Sequence, residues 1–132
     1  MITRISHLGI AVKDLKSAAQ MYEKLLQTKP SEMEFVAEQK VNVIKFKIGE
    51  STIELLEGTS PESSISKFIE KRGEGIHHVA YESDDIKNDL SRLNDAEFDL
   101  INKEPGVGSD NMLIAFINPK SVGGVLTEIC QH

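Results

Sequence analysis

The chain of 132 residues carries one cysteine, Cys130. That excludes an intramolecular disulfide framework and any metal site built from a cysteine cluster. Beside Leu126, Thr127 and Ile129, Cys130 reads as a packed strand residue. No apolar run approaches the roughly 20 residues needed to span a bilayer, so no membrane partner is expected. Met1-Ile2-Thr3-Arg4 lacks the basic start, apolar stretch and small-residue cleavage site of a secretory leader, and the reading is of a cytoplasmic protein. Basic residues are outnumbered: 15 Lys and Arg face 21 Asp and Glu, for a net charge of −6. A general nucleic-acid binder needs a basic face to displace counterions from phosphate, so that class is excluded. An anionic small molecule is not excluded, because a local patch can oppose the global sign. No linker is long enough to separate independent domains. What remains is a hydrophobic fraction of 39%, enough for the core of one domain spanning 1–132.

The sequence repeats itself. Ser6-His7-Leu8-Gly9-Ile10-Ala11-Val12-Lys13-Asp14-Leu15 resembles His77-His78-Val79-Ala80-Tyr81-Glu82-Ser83-Asp84-Asp85-Ile86 at an offset of 71. Gly49-Glu50-Ser51-Thr52-Ile53-Glu54-Leu55 resembles Gly123-Gly124-Val125-Leu126-Thr127-Glu128-Ile129 at an offset of 74, and a short loop insertion explains the difference. Each half reads as strand, helix, then three strands. Module one covers about 1–60 and module two about 74–132.

Residues 4–12 alternate as a strand and end at Asp14, a helix N-cap. Leu15, Ala18, Ala19, Tyr22, Leu25 and Leu26 then recur at helical spacing. Strands are predicted near 33–37, 40–48 and 51–57, with Gly49-Glu50 as the turn between the last two. Ile65, Phe68 and Ile69 form a short connecting helix that Gly73 stops. In module two the helix is predicted near 85–94 and the strands near 97–101, 111–118 and 124–130, with a polar, glycine-containing loop over 105–110. The fold class is α+β, two βαβββ modules forming a curved mixed sheet around a cleft.

Side chains alternate across a strand. Leu8, Ile10 and Val12 share the face expected under the helix, which leaves His7 on the other face beside small Gly9 and Ala11. The same alternation puts His78 with Ala80, and His77 with Val79 and Tyr81, so His78 is the repeat equivalent of His7. Glu54 faces away from Ile53 and Leu55, and Glu128 away from Val125, Thr127 and Ile129. Taken singly, His7 reads as a hydrogen-bonded structural histidine, Glu54 as a surface charge on an edge strand, and His77 as a surface residue or one behind the site. Taken together, two His and two Glu at repeat-equivalent positions form a candidate site for one divalent ion. A Glu between Ile53 and Leu55 would waste burial energy without a partner. Neutral imidazoles and carboxylates suit zinc, nickel, cobalt or manganese.

Four segments carry a family resemblance: His7 to Leu15, Ile53-Glu54-Leu55-Leu56-Glu57, Phe68 to Ala80 with its Lys-Arg-Gly-Glu-Gly-Ile-His-His string, and Asn118 to Glu128 with Pro-Lys-Ser-Val-Gly-Gly-Val-Leu. Over nearly its whole length the chain resembles the vicinal oxygen chelate (glyoxalase/bleomycin resistance/dioxygenase) superfamily, and most of all its methylmalonyl-CoA epimerases. The resemblance implies metal ligation by His7, Glu54, His78 and Glu128, interconversion of the two epimers of methylmalonyl-CoA, and a homodimer. It implies Glu128 as first choice for a catalytic acid or base and Glu54 as second. Lys120 and Ser121 become candidates for contact with the substrate carboxylate or the CoA phosphates, a surface turn being the alternative. Lys67, Lys71 and Arg72 read as a solvated helix face, with phosphate contact as the alternative. Some family members carry an extra acid on the strand after the first helix; here Val41, Val43 and Lys45 hold that face, which leaves the second base unidentified. Asn118 stands where a His often precedes Pro-Lys.

Three other functions on the same fold compete. Glyoxalase I shares the two-His, two-Glu set and differs in its substrate pocket. An extradiol dioxygenase uses two His and one carboxylate, which would leave Glu54 superfluous. A non-catalytic small-molecule binder of the bleomycin-resistance type generally lacks the ligands altogether.

Overall fold

The structure, a computed structural model, describes all 132 residues, Met1–His132. Its elements are β1 (Ile2–Ala11), α1 (Leu15–Leu26), β2 (Glu34–Val36), β3 (Val41–Ile48), β4 (Ser51–Gly58), α2 (Ser64–Arg72), β5 (Gly75–Ser83), α3 (Ile86–Asp95), β6 (Gly106–Val107), β7 (Leu113–Ile117) and β8 (Thr127–Gln131). These are two βαβββ modules with α2 between them. Strand pairing is mixed: β1 with β4 and β5 with β8 are parallel, and the hairpin neighbours are antiparallel. The class is α+β, as the sequence pattern predicts. No helix is long and apolar enough to cross a membrane.

By compactness the chain divides into one unit of His7–His77 and another of Met1–Ser6 with His78–His132. In the His7–His77 unit the strand order is β2-β3-β4-β1. Asp14 caps α1 by accepting the Ser17 N–H, and Glu57 Oε2 accepts the Leu15 N–H at 3.1 Å. The apolar stripe of α1 covers one sheet face, where Leu15 and Ala19 pack with Val12, Ile44, Phe46 and Leu55. Phe46 and Leu55 are wholly buried there, each contributing about 1.5–3 kcal/mol. On the opposite face Ala11, Val41, Val43 and Leu56 pack with Ile65 of α2, and Phe68 and Ile69 close over them.

In the second unit the order is β5-β8-β7-β6, and the first residues of β1 lie along β5, where the Thr3 hydroxyl donates to the Glu82 carbonyl. Ile86, Leu90 and Leu93 of α3 pack on Leu100, Ala115, Ile117 and Ile129. Ala80, Met112, Ile114 and Cys130 form a separate cluster with Phe116. Cys130 is a buried thiol outside any disulfide, and its packing among apolar residues is as the sequence predicts.

Three boundaries differ from the sequence expectation. Residues 97–101 form no strand; Leu100 makes a single bridge to Ile117. Two backbone bonds form there, from Ile101 N–H to the Phe116 carbonyl and from Asn118 N–H to the Asp99 carbonyl, but the ladder stops because Ser121 Oγ accepts the Asp99 N–H and Asn102 Oδ1 accepts the Phe116 N–H. The ladder partner of β7 lies instead in the expected loop, at Gly106–Val107. Finally, Gly123 and Gly124 adopt φ of 68° and 93°, which turns the chain and delays β8 to Thr127. Val125 therefore lies outside the strand and is exposed, not on the face shared with Thr127 and Ile129.

Candidate active site

In the His7–His77 unit, Glu54 of β4 stands in register with Gly9 of β1. Glycine puts no side chain between that carboxylate and His7, two residues back on the same face. Glu54 Oε2 accordingly lies 3.4 Å from His7 Nδ1. His7 is 2% exposed and Glu54 5%. A carboxylate this far from water is tolerated only with partners. Lys45 of β3 is a second one, its Nζ 3.7 Å from the same Glu54 oxygen.

The other unit builds the same pair from equivalent positions. Glu128 of β8 is in register with Ala80 of β5, the counterpart of Gly9. Its Oε1 lies 3.3 Å from His78 Nε2, and both residues are 4% exposed. The Phe116 ring stands edge-on to His78 with centroids 5.6 Å apart, fixing the imidazole plane. Phe116 is in register with Glu128, so it walls the pair from the neighbouring strand.

The donors fit a divalent ion. Two ligand atoms about 2.0–2.2 Å from one ion, at angles of about 90–110°, stand roughly 3.0–3.4 Å apart. The nitrogen–oxygen separation in each pair falls in that span. Each pair also offers one imidazole and one carboxylate, a set suited to first-row divalent metals.

The sequence pattern of the Glyoxalase/Bleomycin resistance protein/Dioxygenase superfamily matches residues 6–116. The chain belongs to that superfamily. Among superfamily relatives it is 38% identical over 130 residues to YqjC of Bacillus subtilis, covering 98% of this chain and 93% of that one. It is 35% identical over 133 residues to the ethylmalonyl-CoA/methylmalonyl-CoA epimerase of Cereibacter sphaeroides, covering 99% of both. In structure it is similar to a Streptomyces coelicolor methylmalonyl-CoA epimerase variant in complex with 2-nitronate-propionyl-CoA, with a TM-score of 0.95, 34% identity, and 99% and 95% of the two chains covered. Homologues and structural neighbours of this superfamily member thus include methylmalonyl-CoA epimerases, as the sequence motifs imply.

The superfamily chain's other candidate residues sit as follows. Lys120 and Ser121 occupy a 3-10 turn, Pro119–Ser121, capped by Asn118, whose Oδ1 accepts the Lys120 N–H at 3.0 Å. Ser121 Oγ donates to the Asn118 carbonyl and accepts from Asp99, so the hydroxyl braces this turn, while Lys120 is exposed. His77 packs its ring edge-on against Phe68 of α2 at 5.0 Å, and the Arg72 guanidinium lies 5.9 Å above the same Phe68 ring. Lys67 and Lys71 are exposed on α2. Phe116 is a neighbour of the His78–Glu128 pair that sequence reasoning did not single out; it lies one strand away from Glu128, and only register brings it there.

Proposed function

We propose that this chain is a metal-dependent isomerase that interconverts the two epimers of methylmalonyl-CoA by moving the α-proton. The observation that carries the reading is the buried His–Glu pair built twice, at repeat-equivalent positions, in a chain whose relatives include methylmalonyl-CoA epimerases. In this reading the two modules act as one domain, and His7, Glu54, His78 and Glu128 together hold one cobalt, zinc, nickel or manganese ion. Such an ion supplies Lewis-acid stabilisation of negative charge developing on the thioester oxygen.

The chain's own residues do the rest. The substrate carbon between a thioester and a carboxylate carries an acidified proton, and epimerisation needs a base on one side and an acid on the other. Glu128 is assigned the proton on one side, with Glu54 as the second candidate. Phe116 and the apolar neighbours of His78 keep water from the carbanionic carbon. Lys120 is assigned to the CoA phosphates, with Ser121 beside it as the second substrate contact. In this reading the chain works in the cytoplasm as a homodimer.

The test is exchange of the substrate α-proton in deuterated solvent, followed by proton NMR with and without added metal. Metal-dependent exchange that Glu128→Gln abolishes, with metal still bound, is the expected result. Full exchange in Glu128→Gln removes its role, and turnover of methylglyoxal plus a thiol in place of methylmalonyl-CoA assigns the site to glyoxalase chemistry instead.

A further inference from the structure

Lys45 is unusual for a lysine. Its side chain is only 17% exposed, on the ligand face of β3, directly across the register from Glu54. Its backbone is clamped beyond the end of β2: the Lys45 N–H donates to Ser31 Oγ at 2.8 Å, and the Lys45 carbonyl accepts the Ser31 N–H at 2.8 Å. The stem is therefore aimed from a fixed base, on the strand face that Val41 and Val43 share. An ammonium held this way at a ligand carboxylate has a charge to give once that carboxylate is committed elsewhere.

We propose that Lys45 is the substrate-carboxylate anchor, the residue that selects a malonyl-type thioester over an acyl-CoA with no free acid. The inference rests on the epimerase reading above and deepens it. Charge counting supports it. Two glutamates and a divalent ion sum to zero. A substrate carboxylate, and the enolate formed beside it, then bring negative charge into a site largely closed to water. An added cation offsets that charge, and Lys45 places one on the same face as Glu54. The same count explains why a lysine is tolerated next to a metal ligand, where it would otherwise only weaken metal binding.

The experiment compares wild type, Lys45→Met and Lys45→Arg, each loaded with cobalt. Binding of methylmalonyl-CoA and of propionyl-CoA is measured by calorimetry, and bound cobalt by elemental analysis. In Lys45→Met, methylmalonyl-CoA should bind at least about 10-fold more weakly, as loss of one charge-assisted bond predicts. Propionyl-CoA should change less than about twofold, and cobalt should stay bound at wild-type stoichiometry or above. Lys45→Arg should keep most of the preference for the dicarboxylic thioester. Equal binding of the two thioesters by wild type and Lys45→Met alike, equal weakening of both, or loss of cobalt from Lys45→Met overturns the assignment. If wild type itself neither prefers methylmalonyl-CoA nor exchanges its α-proton, the epimerase reading fails, and the anchor fails with it. If wild type does both and Lys45→Met still discriminates, the anchor alone fails.

Discussion

The Gln131 side-chain oxygen accepts the Ile86 backbone N–H at 2.8 Å, and in doing so repeats the bond by which Glu57 holds Leu15. Gln131 lies 74 residues after Glu57 and Ile86 lies 71 after Leu15, the same offsets that relate the two halves of the sequence. In both modules the last strand reaches over to satisfy a free N–H in the first turn of the helix. The strand residue doing this lies three positions after the metal-candidate Glu, so one bond fixes the strand end that carries that Glu against the helix packed on the sheet.

Removing this bond should therefore loosen each unit by itself. Gln131→Ala and Glu57→Ala are each expected to cost about 0.5–2 kcal/mol, the range of a lost helix N-terminal partner. Urea unfolding followed by circular dichroism measures the cost. No shift of the midpoint in either variant would show that water replaces the side chain at no loss.

Metal should stabilise the fold. An ion that binds the native state only, at about 100 times its Kd, adds about 2.7 kcal/mol. Thermal melts of chelator-treated protein, before and after cobalt or zinc is added back, should differ by several degrees. His78→Ala should abolish that increment, since it removes one of the two buried imidazoles. A melt that ignores the metal in wild type would contradict a site made from these four residues.

Acid should destabilise the Met1–Ser6 and His78–His132 unit through Glu82. The hydrogen bond from Arg4, opposed by burial and helped by His132, holds the Glu82 carboxyl below its ordinary value of 4.5. Arg4 Nε stands 3.0 Å from one carboxylate oxygen and His132 Nδ1 2.5 Å from the other. A lowered native pKa means the unfolded chain takes up the proton first as pH falls. The stabilisation is complete above 4.5 and is lost as pH drops below it, through the lowered native value. The urea midpoint should stay level from neutral pH to near that value and then fall. Arg4→Met should lower the unfolding free energy at neutral pH by up to about 1 kcal/mol, read as a lower urea midpoint, and make the acid fall shallower.

Gly58 is predicted to accept no side chain. A Cβ there would strike Ser66 Oγ and come within 3.1 Å of Ser63 Cβ, at the point where α2 docks on the end of β4. Gly58→Ala should cost about 1–3 kcal/mol by forcing Ser63 and Ser66 at the start of α2 to shift. Native-state hydrogen exchange should show the added opening concentrated in residues 64–72; uniform protection across the chain would refute the local cause.

The repeat made most of this protein legible without coordinates. Alternation along β1, β4, β5 and β8 has a period of two, so the face of His7, Glu54, His78 and Glu128 followed from counting alone. Helices α1 and α3 followed from their apolar spacing and their aspartate caps for the same local reason. What a one-dimensional pattern cannot hold is register and distance. Residues 97–101 alternate like a strand, yet the Ser121 hydroxyl takes the Asp99 N–H from 22 residues away, and the Asn102 side chain takes the Phe116 N–H on the facing strand. Lys45 carries a surface-type side chain in an ordinary strand; its place at Glu54 came from the β3–β4 pairing, and Phe116 beside His78 from the β7–β8 pairing. Local periodicity is written by covalent geometry. Which buried charge meets which partner is decided only when hydrogen-bonded strands lock their registers together.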